Sequence, residues 1–226
     1  MENSRMKLLL NMVIKFGLGF LMIGFILFAC AGSFFYINGW IFIIALASPM
    51  IIFGIILLLK DPETLARRLK SKESDRSQRK NIAASGVMFI AAFALSGSDY
   101  RFGWSKAPFG VTISALAVML IGYALFVTVI LQNAYASRVV EVSDNQKIIT
   151  TELYAFVRHP MYIASILVFV SVPLVLGTYF ALLPMLFYPT IIVRRIINEE
   201  ALLIQELAGY KEYTEKVSYR LLPFIW

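Results

Sequence analysis

INGWIFIIALASPMIIFGIILLL (residues 37–59) runs without transition into KDPETLARRLKSKESDRSQRKN (residues 60–81). The first stretch carries no charge in 23 residues, whereas the second holds eight basic and four acidic side chains. A helix rises about 1.5 Å per residue and the hydrocarbon core of a bilayer is about 30 Å thick, so roughly 20 apolar residues cross it. Residues 37–59 are therefore read as a membrane span and residues 60–81 as a loop in water.

The same pattern repeats on both sides. Upstream, Leu8–Ala31 is apolar except for Lys15, which is close enough to the end to reach the headgroups. Further apolar spans follow it and no small-residue cleavage site closes it, so it is expected to stay in the chain rather than act as a removed signal. Downstream, Ile82–Gly97 and Phe109–Leu131 read as a third and a fourth span, joined by a short polar link, Asp99–Pro108. A polar stretch, Gln132–Arg158, reads as loop and short helix. Met161–Val193 is apolar again but is punctuated by Pro173, Gly177, Pro184 and Pro189. Broken at Gly177, it suits a hairpin of two legs of about 16 residues, each reaching roughly 24 Å. Arg194–Trp226 alternates charged and apolar residues at helical spacing and predicts an amphipathic helix lying at the interface.

The expected fold class is all-α: a polytopic membrane protein with about six membrane helices, four spans plus the hairpin, and an interfacial C-terminal helix. It divides into a four-span region, residues 1–131, and a more polar region, residues 132–226. With 59% hydrophobic and 15% charged residues, the composition excludes an ordinary soluble domain. The net charge of +7 reflects topology rather than nucleic-acid binding. If the N-terminus is cytoplasmic, 18 of the 21 basic residues fall in cytoplasmic segments, and the opposite links keep only Arg101 and Lys106. Both termini are thus expected in the cytoplasm. The single cysteine, Cys30, permits no internal disulfide, and the single histidine, His159, permits no multi-histidine metal site. No internal repeat points to an inverted-repeat transporter.

Ionisable residues next to hydrocarbon are expensive and mark function. They gather in YAFVRHPMY (154–162) and VRRIINEEALL (193–203). Pro160 pushes His159 out of helical conformation, so His159 stands before a helix start, where Arg158 and free backbone N–H groups attract an anion. RHP alone serves equally well as a basic pair at the mouth of a span. Arg195 and Glu199 are four apart and share a helix face, which fits either a surface ion pair or the rim of a polar pocket.

TTELYAFVRHPMY (150–162), RRIINEEALL (194–203), GYKEY (209–213) and VSYRLLPFIW (217–226) together resemble the C-terminal signature of the isoprenylcysteine carboxyl methyltransferase family, and DPETLARR (61–68) is similar to its bacterial members. The resemblance implies an integral-membrane enzyme, in a bacterial inner membrane, that moves a methyl group from S-adenosylmethionine to a lipophilic acceptor such as a prenylcysteine carboxylate. It implies cofactor contacts from Gln146, Lys147, Ile148, Ile149, Tyr154, His159, Pro160, Met161 and Tyr162. Glu199 or Glu200 would complete that pocket as a catalytic acidic residue, the register between them left open, and Arg195 would meet the acceptor. No metal is implied. Two positions depart from the pattern: Glu152 stands where relatives commonly place Gly, and Glu141 or a nearby valine where a Gln often precedes the cofactor segment. NADPH-dependent sterol-type reductases show a similar RHP stretch and YR-x-x-P ending, but the paired glutamates after the arginines look more like the methyltransferases, and the chain is short for a reductase of that class. A small transporter would need ionisable residues within several spans.

Overall fold

The computed structural model describes residues 2–70, 76–133, 135, 142 and 146–226. The centre of the 60–81 loop and part of the 132–158 stretch, Glu141 included, lie outside the described residues. The helices are α1 (Glu2–Ala31), α2 (Ile37–Lys60), α3 (Pro62–Leu69), α4 (Arg76–Phe102), α5 (Phe109–Gln132), α6 (Pro160–Val175), α7 (Leu182–Met185), α8 (Tyr188–Glu206) and α9 (Tyr210–Lys216). A 3-10 turn, Glu152–Ala155, precedes α6. Among the described residues there is no strand.

Among the described residues, four helices are long and apolar enough to cross a bilayer: Arg5–Ala31, Ile37–Lys60, Gln78–Phe102 and Phe109–Gln132. Their outer faces leave large apolar side chains uncovered, with Phe25 at 76% and Leu21 at 71% exposure, as expected where lipid rather than water is the solvent. Helix approach is set by glycines, because in lipid close van der Waals packing drives association. A Cβ built on Gly97 of α4 would lie 2.5 Å from the Leu27 carbonyl oxygen of α1. One built on Gly122 of α5 would lie 2.9 Å from Val168 Cγ2 of α6.

The third span is longer than Ile82–Gly97. Its helix continues through Ser98–Arg101 because the one acid there, Asp99, is fully buried with its carboxylate satisfied. Asp99 accepts from the Ser105 N–H at 2.6 Å, from the Ser105 hydroxyl at 2.5 Å and from the Thr178 hydroxyl. On the opposite side Asp61 caps α3, accepting from the Thr64 N–H at 3.1 Å, with Pro62 at the first helical position. Lys15 donates to the Leu69 carbonyl at the end of α3, so its ammonium serves as a tether of that helix.

Beyond α6 the chain departs from the two-legged hairpin. Gly177, at φ +80°, turns it as expected. The second leg is not one apolar helix. It comprises the four-residue α7 and then α8, which starts at Tyr188 with Pro189 in its first turn and runs on through Arg194, Arg195, Glu199 and Glu200 to Glu206. The expected amphipathic helix Arg194–Trp226 is likewise divided. Its first part is the end of α8, Gly209 at φ +83° breaks the chain, α9 covers Tyr210–Lys216, and the last residues are non-helical. The reason is burial: Glu200 and Tyr210 point into the protein, so the segment folds back under α6 instead of lying flat.

Two measurements follow. Gly97→Val should destabilise the protein by about 1 to 3 kcal/mol through overpacking. Gly17→Val, whose Cβ would meet nothing within 4 Å, should be close to neutral in the same thermal or detergent denaturation assay. For topology, single cysteines at the exposed Lys106 and Lys216, on a Cys30→Ser background, separate the two sides. The basic-residue partition places Lys106 outside, so an impermeant maleimide should label Lys106→Cys in intact cells and Lys216→Cys only after permeabilisation; the reverse pattern would invert the orientation.

Candidate active site

α8 supplies the site through two neighbouring stripes at four-residue spacing. Tyr188, Ile192, Ile196 and Glu200 form the buried stripe. Ile196 and its apolar neighbours pack against Met88 and Ala92 of α4 and Tyr162 of α6. Glu200 is thus the polar end of an apolar row, 4% exposed. One position round, Arg195, Glu199 and Leu203 face a cleft of about 810 Å³.

A carboxylate buried this deeply must be neutralised and hydrogen-bonded to stay charged. Glu200 is. Arg158 Nε donates to its Oε1 at 2.6 Å, Arg220 Nε donates to Oε2 at 2.6 Å, and His159 Nε2 lies 3.2 Å from Oε1. Arg158 also donates to the Val217 carbonyl at 2.5 Å. The backbones of Arg158 and His159 donate to the carbonyls of Tyr219 and Arg220 at 3.0 and 2.9 Å. Trp226 lies against the Arg220 guanidinium, 5.1 Å from ring centre to Cζ. Burial pushes the Glu200 carboxyl up, but the hydrogen bonds from His159, Arg158 and Arg220 outweigh it and hold the pKa down at about 2.

A second polar chain lies at the cleft wall. Arg195 Nε donates to the Tyr162 hydroxyl at 2.8 Å, and that hydroxyl donates to Glu199 Oε2 at 2.5 Å. Opposite, Asn133 Nδ2 donates to the Tyr154 hydroxyl at 3.0 Å, and the Tyr213 hydroxyl donates to the Tyr154 carbonyl at 2.7 Å. Burial is the main reason why the Tyr154 phenol is raised to about 12, which keeps it a neutral hydrogen-bonding group at physiological pH.

Of the residues singled out in the sequence, Gln146, Lys147, Ile148, Ile149, Tyr154, His159, Met161, Tyr162, Arg195 and Glu199 line this one cleft. They arrive from an irregular segment, a 3-10 turn, the start of α6 and the middle of α8, up to 53 positions apart in the chain. Two others stand outside it. Pro160 is the buried first residue of α6, and Glu200 is turned away behind the wall. The cleft also includes Tyr210, Tyr213 and Leu207, which the sequence reading did not single out although GYKEY was quoted. From α3, Arg68 reaches Met161 Sδ at 3.4 Å and lies 4.8 Å over the Phe126 ring. The first turn-plus-helix of the 60–81 loop is thereby joined to the site, as DPETLARR alone could not reveal.

Residues 114–205 match the model of the isoprenylcysteine carboxyl methyltransferase (ICMT) family. Over this segment, under half of the chain, the protein is similar to that family. The match runs from α5 through most of α8 and contains both Arg158–Tyr162 and Arg195–Glu200. No curated protein matches the chain. The apolar helices and this match together support an integral-membrane protein similar to a methyltransferase family. Among the described residues, no group of three or more His, Cys, Asp or Glu side chains could hold a metal ion.

Removing the Glu200 carboxylate leaves Arg158 buried and unpaired, so Glu200→Ala should destabilise by about 3 to 5 kcal/mol. The acid sensitivity has a definite sign. The pKa of Glu200 lies below its ordinary value of 4.5, so its contribution is complete above about pH 4.5 and is lost as pH falls towards 2. Thermal unfolding from pH 7 to pH 3 should show a falling midpoint in wild type and a smaller fall in Glu200→Gln.

Proposed function

We propose that the cleft binds S-adenosylmethionine and that the protein methylates the carboxylate of a lipophilic, prenylcysteine-like acceptor on the cytoplasmic side of a bacterial inner membrane. The observation that carries this reading is the placement of Arg195 and Glu199 on one stripe of α8, facing one cleft at the end of the membrane helices. An acid and a guanidinium one turn apart suit a cationic cofactor and an anionic acceptor brought side by side.

The donor set fits that cofactor. Glu199 offers a carboxylate to a positive charge, Lys147 an ammonium to a carboxylate, and the tyrosines faces and hydroxyls to a nucleoside. Residues 146–149 are irregular chain lining the cleft, with backbone N–H and C=O groups able to read an adenine edge. When bound, the cofactor supplies an electrophilic methyl group on a sulfonium. The chain's task is then positional. A carboxylate acceptor is ionised at neutral pH and needs no general base. Arg195 orients it through planar donors whose charge survives desolvation. Tyr162 fixes the Arg195 side chain relative to Glu199, so that acceptor and cofactor meet in one geometry. Leu203 and Leu207 line the cleft with apolar surface that limits water. Residues 1–131 supply the membrane scaffold and residues 132–226 the binding groups.

Titration of the purified protein with S-adenosylmethionine and with NADPH tests the reading directly: binding of the second and not the first would replace the methyltransferase by a reductase. Arg195→Lys keeps the charge but loses the two-pronged donor and the Nε bond to Tyr162. Transfer to a prenylcysteine should fall by 10- to 150-fold, about 1.5 to 3 kcal/mol, with cofactor affinity nearly unchanged. A mutant that transfers normally, or that loses cofactor binding instead, would show that Arg195 does not hold the acceptor.

A further inference from the structure

Residues 221–226, LLPFIW, form a loop closed on itself. The N–H groups of Leu221 and Leu222 donate to the Trp226 carbonyl at 2.9 and 3.2 Å, and those of Ile225 and Trp226 donate to the Leu222 carbonyl at 3.2 and 3.1 Å. Pro223 has no N–H, so four of the five amide donors in the loop are satisfied inside it. The loop also sorts its side chains. Leu221 is buried and Trp226 packs beside it, whereas Leu222, Phe224 and Ile225 point outward, Phe224 at 88% and Ile225 at 78% exposure. Tyr219 is the ring beside Phe224, 5.3 Å between centres, and leaves most of it uncovered. Phe224 holds this arrangement at φ +66°, a left-handed conformation that a bulky side chain adopts at a cost and that gathers at functional sites.

Three large apolar side chains held outward would be unfavourable in water. The level of the loop in the bundle supplies another medium. Gln78 Nε2 of α4 donates to the Arg195 carbonyl of α8 at 3.2 Å. Gln78 stands four positions, about 6 Å of helix, before Ile82, where α4 becomes apolar. Leu221 and Trp226 pack into the cluster that continues from there through Ile196 and Ile192 of α8 to Met88 and Ala92 of α4. The loop therefore stands where headgroups give way to acyl chains. Aromatic and aliphatic side chains are stable at that border. A loop placed there must satisfy its own amides, because acyl chains offer them nothing, and this one does. It carries no charged side chain.

We propose that residues 221–226 are a membrane-binding loop whose Leu222, Phe224 and Ile225 side chains dip into the lipid leaflet on the side of the cleft. The loop follows Arg220 directly, and Trp226 lies against the guanidinium that donates to Glu200. The leaflet thus holds in place one of the three donors that orient α8. The assignment is independent of what the cleft binds.

The test uses the full-length protein in phosphatidylcholine nanodiscs, on a Cys30→Ser background. A nitroxide is attached at Phe224→Cys, at Ile225→Cys and, as a water-facing reference, at the exposed Lys216→Cys. Power-saturation EPR compares collisions with oxygen, which concentrates in lipid, and with a polar nickel chelate, which stays in water. The oxygen-to-nickel ratio should be several-fold higher at 224 and 225 than at 216. Ile225→Cys keeps the Phe224 ring and decides where the two differ. A ratio there equal to that at 216 would put the loop in water and overturn the proposal. Poor access of both reagents would overturn it equally, since protein, a second copy or another chain, would then cover the loop.

Discussion

The carboxylate of Glu200 ties three separate parts of the chain to one point. Arg158 and His159 come from the segment before α6, Arg220 from the C-terminal tail, and Glu200 from α8. Such a cluster is weak evidence of stability in itself, because desolvating four ionisable groups offsets most of their attraction. Its effect is geometric. With the carboxylate satisfied by three donors, α8 has one rotational setting about its axis, and that setting turns the next residue, Glu199, and the residue one turn earlier, Arg195, into the cleft. A rotation of 100° would carry Glu199 into the buried position, Arg195 into that of Ile196, and Glu200 out of reach of its donors. The polar hub behind the wall thus decides which groups line the wall.

The membrane helices answer to the same constraint in a different medium. Where lipid offers no hydrogen bonds, each buried polar group near the hydrocarbon must find a partner within the protein. Asp99 finds Ser105 and Thr178, the Tyr36 hydroxyl finds the Leu176 carbonyl at 2.5 Å, and the Ala107 N–H finds the Gly177 carbonyl at 2.9 Å. These bonds join the loops at the end of the bundle away from the cleft. Gly97 and Gly122 hold the intervening helices at close range. The start of α6 is accordingly fixed from both ends, by the loop after Val175 and by the Glu200 hub, and Tyr162 sits one turn inside it.

The first four spans were legible because they depend on length and hydropathy alone, whereas the count of about six was not reached: residues 37–59 read as a span and fold as α2 to within a residue. The end of the third span was not, because Asp99 reads as a link until its three donors, one of them 79 positions away, are known. The second leg of the hairpin failed for a related reason. Pro184 and Pro189 mark breaks, but only burial of Ile192, Ile196 and Glu200 shows that the helix after them continues into the polar sequence. In the site, spacing placed Arg195 and Glu199 on one face but left the choice between Glu199 and Glu200 open, since that choice is set by Arg158 and Arg220, remote in the chain. Glu152 has a backbone explanation. It adopts φ +53°, a left-handed conformation that glycine takes without strain, so a Gly commonly found there need not signal a cofactor contact.

The charges of the cleft follow from this division of labour. Of the two adjacent acids, the one that meets arginines is neutralised and withdrawn, and the other meets, among the described residues, a tyrosine hydroxyl. Had both been paired, no open carboxylate among the described residues would stand beside Lys147 in the cleft. Had neither been paired, two carboxylates on neighbouring residues would repel across a dry wall and one would take up a proton. Pairing one and leaving the other partly open gives a site with a negative position beside a positive one. A cation and an anion can then be held side by side, which is the arrangement that the proposed transfer from a cationic donor to an anionic acceptor requires.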